Sequence, residues 1–415
     1  MKKLLFITSE LPFPAQSGGK VKSLKLLQAL AQRYDVTLAC PLKCEDASHV
    51  EAFHAISPCK GHLHRELDIP RTLVNLFKSY LKRIPLNVYR SHSRQLNTEL
   101  AKIVSGYDIV LLDHYEVCSY LPPDYRGLTV YHAHNAYFKI WQRYAQLPGN
   151  LLMRFASWLE ARRVSRSEAR LAVRCDLTFA APNDASELVA LGVDKNKLRP
   201  TYHLGDDQQL QLADLCYADT REKIMYVGFL GWEPNVQGLL WFIDEVWPQL
   251  VAQRPGLLFD IVGKNPDERL CEAVGRYSGI KLCGFVADLQ EIYQDSRVSV
   301  APLLFGSGMK VKVLDAMARG MPTVTTTVGA EGIQVVSGTH LMISDAAITQ
   351  ASQINRLLCE PLLWQSLQCN SRALIRQRYT WLQLFTGMHR DLEAALLCNV
   401  RQRRCGVGGK LIHVG

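Results

Sequence analysis

Short apolar runs of strand length alternate with segments long enough to be helices, and the alternation starts twice along the chain. The first series comprises Leu4 to Thr8, Val36 to Cys40, Ile109 to Leu112, Leu128 to His132 and Leu177 to Ala181. The second comprises Ile224 to Phe229, Leu257 to Val262, Ile280 to Cys283, Val298 to Pro302, Thr323 to Thr326 and Leu341 to Ile343. Strands that alternate with helices form parallel sheets covered by helices, so the pattern predicts an α/β chain with two Rossmann-like domains. A length of 415 residues suits that division, because single cores stop growing near roughly 250 to 300 residues. With 48% hydrophobic residues and no low-complexity bias, a disordered or fibrous chain is excluded.

The predicted boundaries are 1–200 for the first domain, 201–222 for a linker and 223–380 for the second domain. The linker contains Gly205, Asp206, Asp207 and a Gln-Gln-Leu-Gln-Leu stretch without a strong period. Two facing domains of this kind would hold a ligand in the cleft at the carboxyl ends of both sheets. Residues 381–397 carry Leu382, Phe385, Met388, Leu392 and Leu396 at helical spacing, predicting a helix that could pack back on the first domain. The basic stretch 398–415 reads as a loose tail.

Lys and Arg total 48 against 39 Asp and Glu, a formal charge of +9 spread along the chain. The balance suits phosphate-bearing substrates or an anionic membrane surface and gives no footprint for nucleic acid. Two segments are basic and amphipathic: Thr72 to Leu86, with Lys78, Lys82 and Arg83, and Asn150 to Arg174, with Arg154, Arg162, Arg163, Arg166, Arg170 and Arg174. They read more naturally as core-facing helices with solvated basic faces than as lipid-binding elements, although peripheral contact with an anionic membrane fits them. The first apolar run ends at Ile7 and Glu10 follows, too short for a signal peptide or a membrane span. The 12 scattered cysteines then predict reduced thiols in a cytoplasmic protein. Cys40, Cys44, Cys59, His62 and His64 offer metal-ligand chemistry, but no second pair completes a zinc spacing, so no metal is predicted.

The most informative segment is Ala301 to Pro322, which contains Gly306-Ser307-Gly308-Met309-Lys310-Val311-Lys312 and Asp315. It predicts a strand, a glycine turn and a helix that ends at Gly320. Backbone N–H groups at such a turn approach a phosphate closely, and Lys310 or Lys312 can neutralise it. Asp315, one turn on, can accept from a sugar diol. The bland alternative is a tight connection with a surface Lys312–Asp315 ion pair.

This segment, followed by Thr323-Val-Thr-Thr-Thr-Val-Gly-Ala-Glu-Gly-Ile333, resembles the nucleotide-sugar site of retaining GT-B glycosyltransferases of family 4, in the subgroup with a Gly-Ser-Gly-x-Lys-x-Lys turn. Tyr226 to Phe242 resembles the first strand-turn-helix of the family's donor domain, with Gly228 in the turn. Gly284, Phe285 and Val286 resemble the loop lying against the nucleotide base, and Ser17 to Lys20 resembles the family's amino-terminal glycine loop. The likeness extends to about residue 397.

The resemblance implies a GT-B fold, with the first domain on the acceptor side and the second binding the nucleotide sugar. It also implies transfer of a sugar from a nucleoside diphosphate sugar to an acceptor hydroxyl with retention. The implied setting is polysaccharide or glycoconjugate biosynthesis, with a glycan, glycolipid or small molecule as acceptor. His134 and Asn135 match the family's His-Asn, which implies that His134 meets the donor sugar or the leaving phosphate. Lys310 is the second implied catalytic group. Gly18, Gly19, Lys20, Asn135, Gly228, Gly284, Phe285, Val286, Ser307, Gly308, Met309, Lys312 and Asp315 are the implied substrate contacts. Asp113 and His114, at the end of the neighbouring strand, are weaker candidates for the acceptor, and His132 is the alternative to His134.

Two departures stand out. The family's Glu-x7-Glu pair is replaced by Ser307 and Asp315, and the basic residues many members carry after the first donor-domain strand are missing from Gly228 to Asn235. Fixed positive charge on Lys310, Lys312 and Lys20 would then carry the diphosphate, with no metal or other cofactor. The rivals are a GT-B-shaped epimerase or phosphorylase and a non-catalytic nucleotide-sugar-binding protein. A dinucleotide oxidoreductase is disfavoured, because no Gly-x-Gly-x-x-Gly follows the first strand.

Overall fold

Seven parallel strands form one sheet and six form another, as the doubled alternation requires. The computed structural model describes residues 1–15, 18–146, 151–202, 204–306 and 308–404. The chain divides into two units: Met1–Thr201 with the chain from Phe385 onward, and Tyr202–Leu384.

In the first unit the strands are β1 (Lys2–Thr8), β2 (Tyr34–Leu42), β3 (Gly61–Glu66), β4 (Ile109–Asp113), β5 (Leu128–His132), β6 (Leu177–Ala180) and β7 (Leu198–Pro200). Their order is β3-β2-β1-β4-β5-β6-β7, which puts the topological switch between β1 and β4. Leu4 to Ile7, Ile109 to Leu112 and Val130 to Tyr131 are fully or almost fully buried, as strands covered on both faces must be. Strands β3 and β7 were not legible in the sequence. Strand β3 is half-buried and histidine-rich, and β7 is a three-residue edge ending in Pro200, where proline costs no ladder bond.

The second unit has β8 (Lys223–Val227), β9 (Leu258–Val262), β10 (Ile280–Gly284), β11 (Val298–Ala301), β12 (Thr323–Thr325) and β13 (Met342–Ile343), in the order β10-β9-β8-β11-β12-β13. Its core gathers Tyr226, Phe242, Trp247, Phe259 and Leu357, each fully buried.

The segment read as a linker is folded into the second unit. Leu204, Leu210 and Leu215 are buried, Arg372 donates to the carbonyls of Leu210 and Leu212 at 2.9 Å, and Gln368 donates to that of Leu215. Three leucines in polar surroundings lack a helical or strand period, so their burial leaves no periodic signal. The last helix, Trp381–Arg404, runs past the predicted end at 397 through residues that favour helix. Beyond Phe385 it belongs to the first unit, where Glu393 pairs with Arg33 and the His389 ring lies on Tyr34. Residues 405–415 of the predicted tail lie outside the described residues. Among the described residues, no helix is long and apolar enough to cross a membrane.

Candidate functional site

In the first unit, Thr8, Asp113 and His132 end adjacent strands in lateral register. Ionised Asp113 can only accept hydrogen bonds. Its Oδ1 receives His132 Nδ1 at 2.6 Å and His134 Nε2 at 2.7 Å, and its Oδ2 receives the hydroxyls of Ser23 at 2.5 Å and Thr8 at 3.3 Å. His132 Nε2 meets Thr201 Oγ1 at 3.2 Å.

Burial would raise the Asp113 carboxyl, but the histidines and their hydrogen bonds hold it well below the usual carboxylate range. Burial pushes His132 and His134 down to about 4. Both rings are therefore neutral at pH 7, each pointing an N–H at the carboxylate. Nδ1 of His134 is then an acceptor. It lies on the side of Gly19, where a Cβ would come within 3.9 Å of it. His114, at φ 82, stacks its ring on His134 with centroids 3.7 Å apart.

The ligand-type atoms of Asp113, His132 and His134 lie within 4.8 Å of one another, a grouping metals also use. Here both imidazoles converge on a single carboxylate oxygen, an arrangement that protons account for.

The loop after His134 is anchored from behind: buried Glu168 accepts from the N–H groups of Tyr137 and Phe138. Burial pushes Glu168 up to about 8. Beside His114 a cavity of about 230 Å³ opens at the ends of β1, β2 and β4, lined by Glu10, Lys43, Arg71, Arg90 and Glu116 among others. It lies at the sheet's switch point, where open α/β sheets bind ligands.

The corresponding strand ends of the second unit are laced by glycines. Gly228 N–H donates to Val262 at 3.0 Å, and Gly263 N–H to Gly284 at 2.9 Å. A Cβ on Gly263 would lie 1.8 Å from the Gly228 carbonyl oxygen, so only glycine fits there. Gly284 has φ 67, and Phe285 after it is 64% exposed with the Lys264 ammonium 3.9 Å from its ring centroid; Val286 is half-buried.

Strand β11 leads through Gly306 and Gly308, both at positive φ, into the helix Val311–Arg319, which Gly320 ends in the left-handed conformation. Lys310 is the N-cap residue and supplies no side-chain cap; the Val313 N–H already donates to its carbonyl at 2.9 Å, which leaves the N–H groups of Val311 and Lys312 as the ones an anion could meet at this terminus.

The two lysines are held differently. Lys310 Nζ donates to the Gly308 carbonyl at 2.5 Å and lies 3.4 Å from the Glu331 carboxylate. Lys312 Nζ donates at 2.6 Å to both Tyr226 Oη and Asn235 Oδ1, which are neutral. Among the described residues it has no carboxylate partner. Burial, reinforced by Lys310, pushes Lys312 down to about 7. A Cβ on Gly228 would stand 2.9 Å from its nitrogen, so this lysine brings a cation to the very turn that lacks its own.

The bland Lys312–Asp315 pair is absent. Asp315 instead accepts from the Asp206 N–H at 2.7 Å, and burial pushes its carboxyl up to about 6. Met309 is buried against Gly332, where a Cβ would come within 2.8 Å of Met309 Cγ.

Other predicted contacts divide as follows. Ser307 lies outside the described residues, as does Ser17 of the amino-terminal loop. Gly18 and Gly19 begin the helix Gly18–Ala31, and Asn135 is half-buried beside His134. Lys20 pairs with buried Asp46 at 2.8 Å. The Cys40–His64 group forms a local network, with Cys40 Sγ and His64 Nδ1 at 3.3 Å. Sequence reasoning missed Tyr226 and Asn235 as the holders of Lys312, and Glu168. A tyrosine in a buried strand and a glutamate inside a long helix look structural until their partners are known.

Residues 221–360 match the family of glycosyl transferases group 1. The chain is similar to the structure of HepE from Anabaena in complex with UDP, at 15% identity and a TM-score of 0.67, covering 95% of this chain and 100% of that one. It is similar to sucrose-phosphate synthase from Thermosynechococcus elongatus, at 17% identity and a TM-score of 0.65, again over 95% and 100%. Among curated sequences it is 24% identical over 402 residues to an uncharacterized 44.6 kDa protein in the cps region of Klebsiella pneumoniae, covering 94% of this chain and 100% of that one. The two parallel-sheet units are those of the GT-B fold, and the second contains the residues that match the group 1 glycosyl transferases.

Proposed function

We propose that this protein transfers a sugar from a nucleoside diphosphate sugar to an acceptor hydroxyl, with retention of configuration. Its setting is the biosynthesis of a polysaccharide or related glycoconjugate on the cytoplasmic side of a membrane. The observation that carries the reading is Lys312, a half-buried lysine whose Nζ, among the described residues, has only the neutral partners Tyr226 and Asn235, beside an uncapped, glycine-led helix. A partly desolvated charge without a counter-charge is costly, and an anionic ligand would supply what is missing. Support comes from the group 1 glycosyl transferase domain that contains it, from the UDP-bound neighbour, and from the relative's place in a cps region.

Sugar transfer from such a donor needs its leaving diphosphate stabilised. Backbone N–H groups of the Val311–Arg319 helix and Lys312 would bind the phosphates in place before reaction, with Lys310 beside them. Preorganised charge of this kind acts most strongly where water is excluded. Neutral His134, fixed by Asp113, would accept from a donor-sugar hydroxyl or donate after ring reorientation, sharpening the transition state more than ground-state binding. Asp315 would receive the ribose hydroxyls, and Phe285 would lie against the base. Fixed cations do the neutralising, so turnover should survive a chelator.

The test is a panel of nucleotide sugars, read first by thermal shift and then by release of nucleoside diphosphate with and without candidate acceptors. One donor should stabilise the protein, by about 2.7 kcal/mol at 100 times its dissociation constant, and release should depend on acceptor. Turnover without acceptor would point to an epimerase, and stabilisation without release to a binding protein.

A further inference from the structure

Between Asp68 and Glu99 the chain carries no acidic residue but has Arg71, Lys78, Lys82, Arg83, Arg90 and Arg94. Within this stretch lies the helix Leu73–Leu81, started by Thr72, whose hydroxyl accepts from the Asn75 N–H. Its large apolar side chains face outward: Leu73 is 84% exposed, Val74 62%, Phe77 64% and Leu81 69%. These positions share one helical face.

The opposite side is pinned to the helix Leu151–Arg174. Arg163 donates to the Ser79 carbonyl at 2.8 Å and lies 4.0 Å from the Tyr80 ring centroid, and Glu160 accepts from the Leu86 N–H at 2.8 Å. The apolar face is therefore held outward by a built anchor. The partner helix also exposes large apolar groups, Leu151, Phe155 and Trp158, with the Arg162 guanidinium 3.9 Å from the Trp158 ring centroid.

We propose that these two helices dock the first unit on an anionic lipid bilayer, with Leu73, Phe77, Leu81 and Trp158 entering the interfacial layer. The chemistry that selects this occupant is the rim. Among the described residues, Lys78, Lys82, Arg83, Arg154 and Arg162 pair with no carboxylate, so their charge is available to lipid phosphates. A basic rim around exposed leucine and phenylalanine is the composition of an interfacial helix, and tryptophan with an arginine on its ring suits the headgroup level. A protein partner would need acidic side chains to meet the same rim, but the interleaving of cations with bulky apolar groups matches headgroups above acyl chains.

The surface also bears on the acceptor, and this part rests on the transferase reading. Arg71 and Arg90 come from the same acid-free stretch and line the cavity beside His114. Arg71 reaches the neutral Asn87 side chain at 3.4 Å, and Arg90 donates to the Ile69 carbonyl at 2.6 Å. Docking by the helix two residues after Arg71 brings these guanidinium groups to the headgroup layer, where an acceptor carrying a phosphate on a lipid would present its sugar to the site.

Flotation of the full chain with vesicles of phosphatidylcholine alone, or mixed with phosphatidylglycerol, tests the docking without any turnover. The protein should float with the anionic vesicles and stay behind with the neutral ones. The pair Phe77→Asp and Leu81→Asp, and separately Lys78→Glu and Lys82→Glu, should each weaken flotation roughly tenfold or more. These side chains are solvated, so circular dichroism and nucleoside diphosphate affinity should match wild type. Lys312→Met should float as wild type does, which separates this claim from the donor site. Wild type that stays behind with anionic vesicles, or a Phe77→Asp, Leu81→Asp protein that floats unchanged, overturns the proposal. So does a wild-type dimer in solution that the apolar-face variants convert to monomer, since the face would then belong to a second copy.

Discussion

The two sheets end in polar sites of opposite character. At the end of the first, Asp113 is saturated by four donors from His132, His134, Ser23 and Thr8. At the end of the second, Lys312 has, among the described residues, only neutral partners beside a helix terminus without a side-chain cap. A saturated buried charge fixes geometry and gains nothing from a further ligand, whereas an uncompensated one gains from an anion. The first site therefore orients and the second captures, and their responses to mutation and pH should differ accordingly.

The largest effect is expected where the saturated centre loses its hub. Asp113→Ala leaves two buried imidazole N–H groups and the Ser23 hydroxyl without their acceptor, at a cost of about 1 to 3 kcal/mol for each unsatisfied group. Urea unfolding followed by probes in each unit should show the first destabilised and the second unmoved. A loss under about 1 kcal/mol would mean that packing alone fixes the histidines.

The same centre makes the first unit acid-labile. His132 and His134 sit at about 4 when folded, and unfolded histidine titrates near 6.5. As pH falls from about 6.5 towards 4 the unfolded chain takes up protons that the folded one refuses, so stability declines across that window. Asp113, held low, adds its loss only below about 4. Denaturation midpoints at pH 7 and pH 5 check the histidine term; equal midpoints would contradict it.

His134→Ala sharpens the division of labour. Turnover should fall roughly a hundredfold or more while donor affinity changes little, because the interaction belongs to the transition state. Turnover preserved within a few fold would make His134 structural and return His132 as the candidate.

A smaller effect concerns Asp315. A 2′-deoxyribose donor should bind about 0.5 to 1.5 kcal/mol more weakly to wild type, and Asp315→Ala should erase most of that difference. Equal discrimination by both proteins would leave Asp315 as a bracket for the Gly205–Asp206 turn, which it already holds.

How much of this was legible depended on how local each signal was. Both parallel sheets followed from apolar runs such as Leu4 to Ile7 and Ile224 to Tyr226, because two-sided burial writes itself into consecutive residues. The glycine turn and Gly320 were legible for the same reason: a left-handed backbone selects its residue directly. Partners distant in sequence were not. Lys312 and Asp315, three residues apart, left an ion pair open as the bland alternative, yet Lys312 turns to Tyr226 and Asn235 and Asp315 to Asp206. The partner of Lys20, set beside two glycines, was not legible either: it is Asp46, 26 residues on. The exposed face of Leu73–Leu81 read as buried because periodicity reports an amphipathic helix without saying which side meets water.

The central claim is that Lys312 is the cation the diphosphate completes, and calorimetry of the best nucleoside diphosphate across pH tests it most directly. Lys312 sits near pH 7 in the free protein, and an anion beside it favours its charged form. Binding should therefore take up a proton, and affinity should be full below pH 7 and fall as pH rises above it. Lys312→Met should bind about 1.5 to 3 kcal/mol more weakly at pH 7 and lose that slope. Affinity and pH slope unchanged in Lys312→Met would contradict the account and leave the diphosphate to Lys310 and the helix terminus.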